Sequence, residues 1–305
     1  MKNICYFFIF FMMLFTLIGC SQSQNKDTNK LNIVTSFYPI YIATSNIVDN
    51  VENVNLSNMT NIEVGCLHDY QLTTKDMNEL ERADIFIVNG GGMESFLDKA
   101  INTCPELNII DSSEGIIQAH EQEEHAEEDD EHGHHHGENA HIWVSISMYI
   151  EQVKNIAESL GKIDSQNKEK YMANANNYIN KLEELKEQMH SELGVLKNRN
   201  IVTFHEAFEF FAEEFGLNVV AVIEREPGTS PSAGELAKII EDIKDTNATA
   251  IFVEPQYDAG IANVIANETN KPVYTLDPVV TGELSKDAYE RIMKENLRIL
   301  KEALK

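Results

Sequence analysis

Residues 165–196 read SQNKEKYMANANNYINKLEELKEQMHSELGVL, with no Pro and no Gly before Gly194. Tyr171, Tyr178, Leu182, Leu185 and Met189 recur there at spacings of three, four and seven, the period of a single helix face. The stretch predicts one rigid helix of about seven turns or more, long for a globular protein. Strand and helix patterns alternate on both sides of it. N-terminal to it, Leu31–Phe37 (LNIVTSF), Ile62–Val64, Asp84–Val88 and Leu107–Ile110 read as strands, and Tyr38–Asn50, Lys75–Arg82 and Met93–Ile101 as helices. C-terminal to it, the strands are Asn200–Phe204, Val219–Ile223, Ala250–Val253 and Pro272–Leu276. The helices there are Glu206–Phe215, Gly234–Lys244, Ile261–Asn267 and an amphipathic closing helix, Lys286–Leu304. Strands alternating with helices imply parallel sheets. The expected fold is therefore α/β: two lobes (31–162 and 197–305), each a parallel-type sheet flanked by helices, joined by one long rigid helix (163–196). Gly90-Gly91-Gly92 lacks GxxxxGKS/T and GxGxxG spacing, so it reads as a strand-to-helix turn rather than a phosphate loop.

The chain of 305 residues carries 24 Lys+Arg against 50 Asp+Glu, a formal net charge of −26. That sign repels phosphate and argues against nucleic acid as a partner. Hydrophobic residues make up 43% of the chain, enough for real cores, and the length fits one large domain or two ordinary ones.

The first residues read as export machinery. After Lys2, Ile4–Ile18 is uncharged and rich in Phe, Ile, Met and Leu. As a helix it would span about 22 Å, short of the roughly 30 Å hydrocarbon core, so residues 1–19 are expected to be a signal peptide. Leu17-Ile18-Gly19-Cys20 resembles a bacterial lipobox. Cys20 would then be lipidated and hold the exported protein on the outer face of the cytoplasmic membrane, with 20–30 as a polar tether. An ordinary signal peptide with an incidental Cys is the alternative. Of the four cysteines, Cys66 and Cys104 remain as thiols. An exported protein permits a disulfide between them, and two free thiols are the other possibility. Cys66 stands two residues before His68, close enough in sequence to reach the same ion.

The 10 histidines are unevenly spread, with six of them (His120, His125, His132, His134, His135 and His136) between residues 118 and 139. Nine carboxylates and no Lys or Arg accompany them. Such a segment cannot bury enough apolar surface to offset its ordering entropy and is expected to be disordered. It would act either as a weak multidentate metal trap or as a solubilising insertion.

Three further histidines stand apart. His68 follows Ile62-Glu63-Val64-Gly65, His205 follows the strand Ile201–Phe204, and His141 follows the acidic loop and precedes Ile142-Trp143. Asp277 follows Val273–Leu276. Open α/β sheets bind ligands beyond the carboxyl ends of their strands. Three imidazoles and a carboxylate from four loops would close a four-coordinate zinc site; spacing alone favours a surface or hydrogen-bonded residue for each His. Glu254, at a strand end, is a candidate to accept the outer N–H of a metal-bound His205, or else a loop carboxylate in water.

Several motifs stand in one order: Gly65-Cys66-Leu67-His68-Asp69-Tyr70, Ala140-His141-Ile142-Trp143, Val202-Thr203-Phe204-His205-Glu206-Ala207-Phe208, Phe252-Val253-Glu254-Pro255-Gln256 and Leu276-Asp277-Pro278. Together they resemble the metal-binding solute-binding lipoproteins of bacterial ABC importers, in particular the zinc branch. The resemblance runs from about Leu31 to the C-terminus. It implies that His68, His141 and His205 are ligands and that Asp277 completes or approaches the shell around Zn²⁺. It further implies delivery to a membrane permease driven by a cytoplasmic ATPase. A monomer is expected. Manganese members of the group carry Glu where this chain has His205. Leu67 and Ala140 stand where Pro is common, and Cys66 is unusual for the group.

Two other readings compete. A manganese receptor would share the fold. A secreted zinc enzyme would need an open metal position and a general base, often HExxH. Here His205-Glu206 is followed by Ala207-Phe208-Glu209, so the second His is missing. An adhesin role would not conflict with metal binding.

Overall fold

The computed structural model describes residues 30–120, 139–223, 231–245, 247–256 and 259–305. The expected signal peptide, Cys20, nearly all of the tether, and His125, His132, His134, His135 and His136 lie outside the described residues.

Short β-branched runs build two all-parallel sheets. The first contains β1 (Leu31–Thr35), β2 (Val54–Asn58), β3 (Ile85–Val88) and β4 (Asn108–Asp111), in the order β2-β1-β3-β4. Its central strand β3 is buried along its whole length, as a strand covered by helices on both faces must be. The second contains β5 (Asn200–Thr203), β6 (Asn218–Val222), β7 (Ile251–Val253) and β8 (Val273–Thr275), in the order β6-β5-β7-β8. The two orders are the same. Each sheet reverses its winding direction beside its first strand, between β1 and β3 and between β5 and β7, which is where such folds open a crevice.

The helices of the first lobe are α1 (Tyr38–Ile47), α2 (Thr74–Leu80) and α3 (Leu97–Thr103). Between the sheets run α4 (Ile146–Ile163) and α5 (Lys168–Leu193). The second lobe carries α6 (Glu209–Glu214), α7 (Ala233–Asp245), α8 (Ala259–Thr269) and α9 (Ala288–Ala303). The long helix is there, with Tyr171, Tyr178, Leu182, Leu185 and Met189 all buried as its spacing requires. Among the described residues no helix is long and apolar enough to cross a membrane.

Three readings need correction. Ile62–Val64 is not a strand; Glu63 and Val64 face solvent, and the second strand is Val54–Asn58, whose Val54 and Leu56 pack on the core. The helix after the triple glycine starts at Leu97 rather than Met93. Gly90, Gly91 and Gly92 all have positive φ, so the chain coils through a longer turn that buries Met93 and Glu94 first. The stretch after His205 opens with a 3₁₀ turn, Glu206–Phe208, before α6. The structure also adds α4, which no sequence pattern had singled out.

One hydrophobic core runs through both lobes, from Ile33 and Phe86 through Tyr149 and Tyr178 to Phe252 and Leu300. A smaller core of Val202, Ile243, Ile251 and Ile265 lies under α7 and α8. Hydrogen bonds tie the lobes together. The Tyr38 hydroxyl donates to the Glu283 carbonyl (2.8 Å), Trp143 Nε1–H donates to the Pro278 carbonyl (2.7 Å), and the Tyr289 hydroxyl donates to the Trp143 carbonyl (2.9 Å). Tyr149 and Tyr289 stack at 4.0 Å.

Candidate metal centre

Each of the three isolated histidines is held by local structure. His68 lies on the irregular segment between β2 and α2. Gly65 turns this segment at φ +80°, a conformation a side chain would strain. Leu67 then plunges into the core, with its N–H on Met93 Sδ at 3.4 Å. Beyond His68, the Tyr70 hydroxyl donates to Asp76 Oδ2 at 2.7 Å. Asp76 is itself part of the Thr73 capping box that starts α2.

His205 lies two residues beyond β5, in extended conformation (φ −126°), immediately before the 3₁₀ turn. His141 is fully buried. The carbonyl before it, that of Ala140, accepts from Asn89 Nδ2 at 2.9 Å.

Asn139 orients the His141 ring. Its Oδ1 accepts the His141 backbone N–H (3.0 Å), and its Nδ2 donates to Glu209 Oε2 (2.7 Å), so the amide can face only one way. His141 Nδ1, 2.8 Å from the same Oδ1, must then be the protonated nitrogen. The lone pair on Nε2 is left pointing into the cleft. His68 Nε2 lies 3.2 Å from it and His205 Nε2 3.1 Å. Around a tetrahedral zinc with bonds of about 2.0–2.1 Å, neighbouring nitrogens stand about 3.3–3.4 Å apart, a spacing His141 comes close to with each of the other two, whereas His68 and His205 fall in different ligand sets.

His141 belongs to two overlapping sets of possible ligand atoms, one with Cys66 and His205 and one with His68 and Glu206. Within each set the atoms lie within 4.8 Å of one another. Glu206 was not singled out as a ligand by sequence, although it follows His205 directly. Asp277 is in neither set. Its Oδ1 accepts the Val279 N–H at 2.8 Å, while Asn296 clamps its backbone on both sides, accepting from the N–H (3.0 Å) and donating to the carbonyl (2.7 Å). Glu254, at the end of β7, is 2% exposed; its Oε2 accepts from Gln256 Nε2 at 2.7 Å. Cys66 and Cys104 are free thiols, so the disulfide is not formed. His120 also stands apart from the cluster, with Nε2 2.9 Å from Glu213 Oε2.

The electrostatics suit a cation. Burial, reinforced by His205 and then His68, holds His141 well below the usual imidazole range, so its nitrogen is free for a metal at neutral pH. Burial and then the charge of Asp277 push Glu254 well above the carboxylate range. Burial raises Asp277 to about 6, against the lowering effects of the Val279 N–H and Arg291.

Residues 33–303 match the family described as "ZnuA: Zinc-uptake complex component A periplasmic". The chain is 33% identical over 299 residues to the "High-affinity zinc uptake system protein ZnuA" of Bacillus subtilis, covering 94% of this chain and 93% of that protein. The chain belongs to this family. It is a family of extracytoplasmic solute receptors that work as components of uptake complexes, not a family of enzymes. The chain is also 31% identical to the "Zinc-binding lipoprotein AdcA" of Streptococcus pneumoniae, matching 94% of itself but spanning only 58% of that longer protein. Among solved structures, "the SBP FpvC from pseudomonas aeruginosa in complex with Mn2+" superposes with a TM-score of 0.76 at 26% identity, covering 90% of this chain and 98% of that one.

Proposed function

We propose that this protein is an extracytoplasmic zinc receptor that captures Zn²⁺ between its two lobes and passes it to an ABC permease powered by a cytoplasmic ATPase. His68, His141 and His205 are the ligands, Asp277 brings the negative charge of the C-terminal lobe, and Glu254 is a neighbouring buried carboxyl. The observation that carries this reading is the position of His141 Nε2 at 3.1–3.2 Å from the Nε2 atoms of both other histidines. The protein works as a monomer of two lobes (31–162 and 197–305) joined by 163–196. It is anchored through lipid on Cys20 and performs no chemistry on its cargo. The histidines of segment 118–139 act as a weak trap that raises the local zinc concentration.

Imidazole donors favour zinc, whereas manganese prefers six oxygen-rich positions. The decisive experiment is competition calorimetry on protein lacking 118–138, which removes the weak sites. Tight binding of one Zn²⁺ with much weaker Mn²⁺ is expected. His141→Ala should weaken zinc by at least about tenfold, or roughly 1.4 kcal/mol. Mn²⁺ binding as tight as Zn²⁺ would transfer the protein to the manganese receptors, and unchanged zinc affinity in His141→Ala would remove that residue from the site.

A further inference from the structure

We infer that Cys66 is a direct ligand of the captured ion, its thiolate sharing the metal with His141 and His205. This rests on the receptor reading and names a donor outside the expected three histidines and one carboxylate. Cys66 Sγ lies 3.7 Å from His141 Nε2. With bonds of about 2.3 Å to sulfur and 2.0–2.1 Å to nitrogen, a tetrahedral zinc separates the two atoms by about 3.5–3.6 Å. The sulfur, His141 and His205 form one of the two ligand sets in the cleft, and Asp277 enters neither. The thiol thus occupies the kind of position the carboxylate was expected to take.

The loop delivers this thiol by construction. Gly65 makes the turn at φ +80° and Leu67 is fully buried, so Cys66 is fixed between a backbone turn and a core anchor, on the same loop as His68.

A second observation points to a cation at the same place. Glu254 is 2% exposed and its Oε1 has no hydrogen-bond donor among the described residues; burial first, then the nearby Glu254 and Glu206, push the Cys66 thiol well up, so it keeps its proton until a cation displaces it. A buried carboxylate oxygen without a donor is costly unless positive charge stands nearby. An ion held by Cys66, His141 and His205 supplies that charge. On coordination the thiol proton leaves to solvent and a metal–sulfur bond forms, with no change of oxidation state. A sulfur donor also makes the set softer, which favours zinc and cobalt over manganese.

Cobalt(II) is the probe, because a thiolate ligand gives it a near-ultraviolet sulfur-to-metal charge-transfer band that nitrogen and oxygen ligands do not. Protein lacking residues 1–20 and carrying Cys104→Ser, so that Cys66 is its one thiol, is titrated with Co²⁺, then compared with the same protein carrying Cys66→Ser or His141→Ala. The band should appear with one equivalent of cobalt. It should vanish in Cys66→Ser while the visible d–d bands of a histidine-bound ion persist. Zinc, displacing cobalt, should bind Cys66→Ser at least about tenfold more weakly and with a smaller preference over Mn²⁺. Cobalt bound through His141 with no charge-transfer band would overturn the Cys66 assignment and leave the receptor reading standing. A charge-transfer band that survives Cys66→Ser would likewise overturn it. Absence of any binding lost in His141→Ala would overturn both.

Discussion

Asn139 does for His141 what a metal site needs from outside its ligands. Its carbonyl oxygen takes both the backbone N–H and Nδ1–H of His141, while its amide nitrogen reaches Glu209 in the other lobe. This sets the tautomer and fixes the ring at once. Partners of this kind are worth about 10–100-fold in metal affinity. Asn139→Ala should therefore weaken zinc by roughly that factor with His141 intact, measured by competition against a chelator of known affinity; a change under about twofold would show that burial alone orients the ring. The three histidines were legible in sequence because strand ends and a loop edge expose them as isolated chemistry on an apolar background. Asn139 was hidden inside a low-complexity segment, and nothing in its local sequence marks its role. Cys66 joins the cluster through loop curvature set by Gly65 and the burial of Leu67, and Glu206 through the 3₁₀ turn that follows His205, and sequence spacing fixes neither geometry.

At the scale of elements, the turn after β3 shows how glycine and a buried acid substitute for regular structure. An ideal Cβ on Gly90 would meet Asp111 Oδ1 at 1.8 Å and Ser113 Oγ at 2.3 Å, at φ +82°. On Gly115, at φ +78°, it would meet nothing within 4 Å. Gly115→Ala should cost about 1–2 kcal/mol of backbone strain, and Gly90→Ala about 3 kcal/mol or more, strain and overpacking together. Urea midpoints of the two variants measure the difference, and equal losses would mean the Asp111 side chain simply steps aside.

Glu94 staples the same turn, its two oxygens accepting the N–H groups of Asn89 (2.8 Å) and Gly90 (3.1 Å). Burial nevertheless lifts its carboxyl to about 7 from 4.5, outweighing the Ser36 hydroxyl and these backbone bonds. With the folded value raised, the native state keeps a proton that the unfolded chain releases. The stabilisation from this group is complete below about pH 4.5 and is lost as pH rises through about 7, a change on the order of 3 kcal/mol. Metal-free protein should lose stability over that window, and Glu94→Gln should flatten the slope; an unchanged slope would assign it to other groups. The strands around this turn were legible because β-branched runs bounded by Gly and Asn have few alternatives. The start of α3 and the false strand at Ile62–Val64 were not, because buried Met93 and Glu94 and exposed Glu63 and Val64 are decided by tertiary contacts.

The two lobes repeat one sheet order yet share one core, so the molecule should behave as a single cooperative unit. Trp143, the sole tryptophan, reports on this from the centre. It is fully buried, with its ring 5.1 Å from His141 and 5.0 Å from Phe37, and its N–H and carbonyl bond to Pro278 and Tyr289 of the C-terminal half. Its fluorescence therefore senses the metal cluster and the junction of the lobes together. Backbone circular dichroism senses the helices throughout. If the shared core couples the lobes, urea unfolding followed by the two probes should give superimposable curves. Zinc bound between the lobes stabilises whatever must break to release it, by RT ln(1 + [Zn²⁺]/Kd). At free zinc about a hundredfold above Kd this is about 2.7 kcal/mol, and it should move both curves by the same amount. At the same free zinc His141→Ala, weakened at least about tenfold, should cut the shift in both to about 1.4 kcal/mol or less. A zinc-induced shift confined to Trp143, with the dichroism curve left behind, would mean that the lobes unfold separately and that the long helix and the tyrosine contacts do not hold them as one body.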